Sequence, residues 1–233
     1  MLSPFVLQSA RARLEPLTAG HAGELAMAAA EGRASYGFTW VPDGHDDARR
    51  YVEAALTHQA GGRALPWAVR RVADGRVVGC TRFLGLEVFE WPPPWPPGVG
   101  RGPDPADDLP PSVAEIGSTW YAASAQRTGI NAACKLLLLA HAFGVWDTLR
   151  VTLKTDARNT ASRRAIERLG GRAEGVRRAH SPASDGTIRD TAYYSIIKAE
   201  WPSVRDHLTA QAARPARPAR PAQTGRLGAV DGS

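Results

Sequence analysis

The sequence predicts a mixed α/β domain, α+β in its connectivity, with a central mixed sheet of about six to seven strands and helices on both faces. Three observations predict it. Strand-like and helix-like stretches alternate along most of the chain, a hairpin signal joins two of the strands, and an apolar helical run follows a strand through a short turn containing glycine.

Residues 11–17 read as the opening strand and 19–31 as a helix, followed by a loop holding Tyr36, Phe38 and Trp40. Asp46 is placed to cap a second helix through Gln59, where Val52, Ala55 and Leu56 recur at helical spacing. Two strands, 66–72 and 77–83, flank Ala73-Asp74-Gly75, a strong turn signal. A strand at 113–121 precedes a helix at 132–145 that is apolar almost all round, as a helix buried on most sides would be. Residues 149–155 read as a strand, 160–169 as a helix stopped by Gly170-Gly171, and 188–198 as the closing strand after a turn at Asp185-Gly186.

These elements make residues 11–202 one domain, with 1–10 as an N-terminal extension and 91–111 (WPPPWPPGVGRGPDPADDLPP) as a Pro-rich loop insertion. The stretch 203–233 is expected to be a largely disordered tail, because the ARPARPARPA repeat from Ala213 has prolines that remove donors and fix φ. The net charge is +6, and half of it sits beyond residue 211, where four arginines face one aspartate. The remaining excess is too small for a binding stripe and no recognition module accompanies it, which argues against a nucleic-acid partner. No apolar run approaches a membrane span and the first residues lack a signal-peptide pattern, so no membrane partner is expected and the chain is expected in the cytoplasm. Cys80 and Cys134 form neither a disulfide framework nor a metal cluster, and read as buried apolar residues.

The chemistry concentrates in EIGSTWY-AASAQRTGIN-AACKLLLLAHAF, a strand, a turn and a helix spanning 115–143. In the turn, Gln126, Arg127, Thr128, Gly129, Ile130 and Asn131 put small and polar groups at a helix start. The unpaired N–H groups and positive dipole end there suit a pyrophosphate, and Gly129 allows close backbone approach. The same residues also suit an ordinary turn and cap.

At these residues the chain resembles the GNAT superfamily of acetyltransferases, whose pyrophosphate loop reads Gln or Arg, two residues, Gly, one residue, Gly or Ala. Gln126 and Gly129 match, while Asn131 stands where a third small residue is usual. The resemblance runs from about residue 11 to 202 and is similar in particular to the RimJ/RimL-like group. DARNTASRRAIERLGGRAEGVRR, at 156–178, supports it independently. By this likeness Asn159 would reach the pantetheine arm, though an Asn before a helix is also an ordinary cap. The tyrosine that many members carry seven residues later as general acid is Ile166 here, which cannot donate a proton. Ser162 takes the position of a serine that meets the thiol in RimL-like members.

The resemblance implies an N-acetyltransferase that moves the acetyl group of acetyl-CoA to a primary amine without a metal. Glu115 is the candidate base, because an amine attacks a thioester only after losing its proton; a strand-end surface charge is the alternative. By the same likeness, backbone N–H groups at Trp120 and Tyr121 are the candidate oxyanion donors. Phe38 and Trp40 lie where the family's acceptor pocket is, and would equally anchor their loop. His141 reads as a core or rim residue. The acceptor, a protein N-terminus or lysine or a small amine, stays open, as does a homodimer. The competing reading is a non-catalytic module that senses acyl-CoA or touches nucleic acid.

Overall fold

The computed structural model describes residues 2–89 and 109–213. Most of the Pro-rich insertion and the end of the tail lie outside the described residues. Eight strands form one sheet in the order β1-β2-β3-β4-β5-β6-β8-β7. They are β1 (Leu7–Gln8), β2 (Ala12–Pro16), β3 (Ala64–Arg71), β4 (Val77–Glu87), β5 (Val113–Tyr121), β6 (Arg150–Asp156), β7 (Arg172–Pro182) and β8 (Ile188–Ile197). The helices are α1 (Ala22–Ala30), α2 (Gly44–Ala60), α3 (Ile130–Gly144), α4 (Thr160–Arg168) and α5 (Trp201–Ala213). Every strand pair is antiparallel except β5–β6, which is parallel. The mixed sheet follows from that one crossover, which runs through α3.

The sheet has eight strands where about six to seven were expected, and the two that no sequence signal marked, β1 and β7, lie at its edges. β1 pairs Leu7 with Leu14, and Phe5 beside it packs on Trp67, ring centroids 5.2 Å apart. Residues 5–8 therefore belong to the domain rather than to an extension. β7 pairs only with β8 and is almost wholly exposed.

The tail expectation is also corrected at its start. Residues 201–213 are helical, with Val204 and Leu208 buried and Trp201 stacked on Phe143 at 5.5 Å. Pro202 does not prevent this, because in a helix's first turn the missing N–H would have been unpaired anyway.

α2 begins earlier than its apolar spacing suggests. Asp43, in extended backbone, is the N-cap, and its N–H donates to Asp47 Oδ2 at 3.1 Å. Asp46, the expected cap, lies in the first turn, where its charge meets the helix dipole favourably. Likewise α3 starts at Ile130, two residues before the expected point.

Strand alternation sorts the two faces. Trp120 donates through Nε1 to Tyr51 Oη of α2 at 3.2 Å, so β5 shows Trp120 to the α2 side. Lys135 of α3 donates to Thr119 Oγ1 at 2.9 Å, so Thr119 faces α3. Both cysteines are buried, Cys80 on β4 and Cys134 on α3. Tyr194 is buried and Tyr193 half-buried, as their alternation on β8 requires.

Candidate active site

β5 and β6 pair only over three residues, Val113 with Arg150, Ala114 with Val151 and Glu115 with Thr152. Beyond Glu115 both strands continue without a common ladder, and side chains from both line one cleft of roughly 1290 Å³. From Ile116 on, the β5 edge that faces β6 has no strand partner. The parting has a local cause. Between the pairs Arg82–Gly117 and Cys80–Trp120, β5 carries one residue more than β4, a bulge with Ser118 at φ 45.

The bulge decides which backbone groups the cleft receives. Tyr121 turns its carbonyl away from β4, accepting from Tyr36 Oη at 3.2 Å and Gln126 Nε2 at 3.1 Å. The N–H and C=O of one strand residue share an edge, so the Tyr121 N–H faces the cleft side. Trp120, by alternation, turns its backbone toward β4, and its ring is 3% exposed and outside the cleft lining. Of the two candidate oxyanion donors, Tyr121 therefore turns its N–H toward the cleft and Trp120 does not.

The turn before α3 lies at one end of the cleft. Gly129 is the N-cap at φ 88, a left-handed conformation that glycine adopts without strain. Gln126, Arg127, Thr128, Gly129 and Asn131 line the cleft, whereas Ile130 is buried beneath it. Asn131 is not the cap but the second helical residue. The Arg11 guanidinium, which no motif singles out, donates to the Thr128 carbonyl at 3.3 Å and to the Ala212 carbonyl at 2.8 Å. It joins β2, this turn and α5, and brings positive charge beside Gly129.

Glu115 faces the cleft on the α2 side, and its Oε2 is 2.6 Å from Lys154 Nζ on β6. Its Oε1 lies 2.8 Å from where a Cβ on Gly117 would stand, so the carboxylate folds over Gly117. On the opposite wall Ser162 and Ile166 of α4 line the cleft. Asn159 does not; its Oδ1 accepts from the Ser162 N–H at 2.9 Å as the cap of α4. The Ser162 hydroxyl makes no hydrogen bond among the described residues. Phe38 and Trp40 also line the cleft; Trp40 is 57% exposed yet stacks on Tyr51 at 5.9 Å. That exposure fits a pocket rim better than a loop anchor.

Two buried cations in the lining were not anticipated. Lys135 is 4% exposed with Thr119 Oγ1 as its hydrogen-bond partner, and burial pushes its ammonium down to about 8. Arg82 is 7% exposed. A basic residue inside an apolar strand or helix was the available signal for both. His141 is elsewhere, half-buried at the rim of the core and stacked on Phe5 at 3.9 Å, with Nε2 buried and unpartnered.

A family model described as an acetyltransferase (GNAT) domain matches residues 11–172. The chain belongs to the GNAT acetyltransferases. Among solved structures, this GNAT chain is similar to a GCN5-related N-acetyltransferase from Brucella melitensis, at 27% identity and TM-score 0.74 over 91% of this chain and 87% of that one. It also resembles, in fold, Mycobacterium smegmatis RimJ in complex with CoA-disulfide, at 22% identity and TM-score 0.66 over 88% and 92% of the two chains. RimL, a ribosomal L7/L12 alpha-N-protein acetyltransferase, is a third such fold, at 19% identity and TM-score 0.63 over 83% and 94%. Among curated proteins none matches the chain. In this GNAT domain no helix among the described residues is long and apolar enough to cross a membrane.

Proposed function

We propose that the chain is an N-acetyltransferase that moves the acetyl group of acetyl-CoA to a primary amine by direct attack in a ternary complex, without an acyl-enzyme. The observation that carries this reading is that Glu115 and the N-terminal end of α3 open on the same cleft, formed where β5 parts from β6. The amides of the 126–131 turn and the dipole of α3 suit a pyrophosphate, with Arg127 and Arg11 adding charge. The Asn159 oxygen caps α4, which leaves its amide nitrogen for the pantetheine arm.

Bound acetyl-CoA supplies an activated thioester. Glu115 takes the proton of the acceptor's ammonium, directly or through one water, and Lys154 fixes the carboxylate for that purpose. The Tyr121 N–H donates to the oxyanion. Ser162 offers a hydroxyl to the departing thiolate, where Ile166 offers only an aliphatic wall. Phe38 and Trp40 form the rim through which the acceptor enters. The acceptor is a protein N-terminus, a lysine or a small-molecule amine.

Thiol release from acetyl-CoA across N-terminal peptides, polyamines, amino acids and aminoglycosides tests the proposal. Release that depends on an amine supports it. Acetyl-CoA that raises Tm but is never consumed would instead favour the sensing module.

A further inference from the structure

Arg82 is buried among neutral groups, Tyr51 and Cys80. It sits on β4 opposite Gly117, on the α2 side of the sheet, and is 7% exposed. A buried guanidinium is costly unless an anion and hydrogen bonds compensate it. Here its Cζ lies 5.1 Å from the Tyr51 ring centroid, its Nε has no hydrogen-bond partner, and no carboxylate among the described residues forms an ion pair with it. The nearest acid along the sheet, Glu115, is committed to Lys154 at 2.6 Å. Arg82 nevertheless lines the cleft, beside Tyr51 and the exposed Trp40.

A planar fork of donors, buried and missing its anion, matches a carboxylate better than any other common group. The strand register fixes its distance from the candidate base. Arg82 stands opposite Gly117, and Glu115 stands opposite Leu84 one step along, so the two residues are diagonal neighbours with Cβ atoms roughly 7 Å apart. The Glu115 carboxylate folds over Gly117, toward Arg82. An amine at Glu115 and an anion at Arg82 can therefore belong to one small molecule, a few bonds apart.

We propose that Arg82 is the anion subsite of the acceptor pocket, and that the acceptor is a small amine bearing a carboxylate, such as a free amino acid, with Trp40 and Tyr51 against its apolar part. This rests on the amine-transfer reading and narrows its substrate class.

The test compares amino acids with their carboxamides as acceptors, for the parent, R82M and R82K, with the acetyl-CoA Tm shift verifying that each variant is folded. The parent should favour carboxylates by about 30-fold or more in kcat/KM, the range for a buried charge pair. In R82M that preference should fall to near one while turnover of the carboxamides stays within a few-fold. R82K, with charge but no fork, should fall between. Carboxamides used as well as carboxylates by the parent, or an equal loss on both series in R82M, would overturn the proposal. A second measurement separates it from the transfer reading: a carboxylate without an amine, 3-phenylpropionate, is titrated against the complex with CoA. It should raise the Tm of the parent more than its amide does and should not raise that of R82M. Equal shifts would overturn the subsite even if no amine in either series is acetylated.

Discussion

Lys135→Met should make the ligand-free protein more stable at neutral pH, and less so as pH rises. The ammonium is 4% exposed, and burial alone accounts for the lowering from 10.5 to about 8. At about 1.4 kcal/mol per tenfold change in a protonation equilibrium, keeping this lysine charged costs on the order of 3 kcal/mol. The variant forfeits one hydrogen bond, Nζ to Thr119 Oγ1, worth about 1 kcal/mol. Thr119 is not orphaned, because its hydroxyl also meets Thr81 Oγ1 at 2.7 Å. The net gain of about 2 kcal/mol corresponds to roughly 4–8 °C in Tm for a domain of this size. Between pH 8 and 10.5 the unfolded parent binds more protons at this site than the folded parent, so the parent gains stability with pH and the gap closes. Thermal unfolding of both proteins from pH 7 to 10.5 reads the difference directly. A variant less stable than the parent at pH 7, or a gap that does not change with pH, would refute the reasoning. A charge kept at such a cost is expected to serve the ligand, so the same variant should also show a smaller Tm rise with acetyl-CoA.

Glu115→Gln should lower kcat/KM by ~10²-fold to 10⁴-fold, with the loss shrinking toward alkaline pH as more acceptor is already neutral; Ser162→Ala should cost less and should not be rescued by pH, which kcat/KM profiles for both variants will reveal. Gly129→Ala puts a side chain at φ 88, where its Cβ finds only ordinary contact with Arg11 at 3.7 Å. It should therefore cost about 1–2 kcal/mol of backbone strain and reduce the acetyl-CoA Tm shift, and a full shift would argue against the phosphate loop. Leu208→Ala should destabilise the domain by about 2–5 kcal/mol, since Leu208 is fully buried; a neutral result in denaturant unfolding would mean that α5 is not part of the cooperative unit.

What the sequence made legible follows from how strongly each element is patterned. β3, β4 and the α3 helix carry long apolar runs and firm turn signals, so their existence was readable even where their ends were not. β7 could not be read, because RAEGVRRAHSP is exposed on both faces and broken by two irregularities of register. α5 buries only Val204 and Leu208, too little to outweigh Pro202 and the Pro-rich repeat in a linear reading. Among the candidate site residues, Gln126 to Gly129 stood out because a helix start has a local signature, Glu115 because it opens the strand that leads into that turn, and Ser162 by resemblance. Arg82 and Lys135 were not, because their significance lies in missing partners, a property of the packed molecule. The exclusion of Trp120 as a donor follows from a one-residue bulge that no pattern of side chains announces.

The central claim, direct transfer to an amine at this cleft, is tested most directly by one measurement. Intact protein mass and free thiol are followed after mixing with acetyl-CoA, with and without an accepted amine, for the parent and Glu115→Gln. The account predicts thiol release only when amine is present, one N-acetylated product per thiol, no mass added to the protein, and a rate that collapses in the variant at neutral pH. A stable or transient gain of an acetyl group by the protein before the amine is added, or a Glu115→Gln rate equal to the parent's, would contradict it.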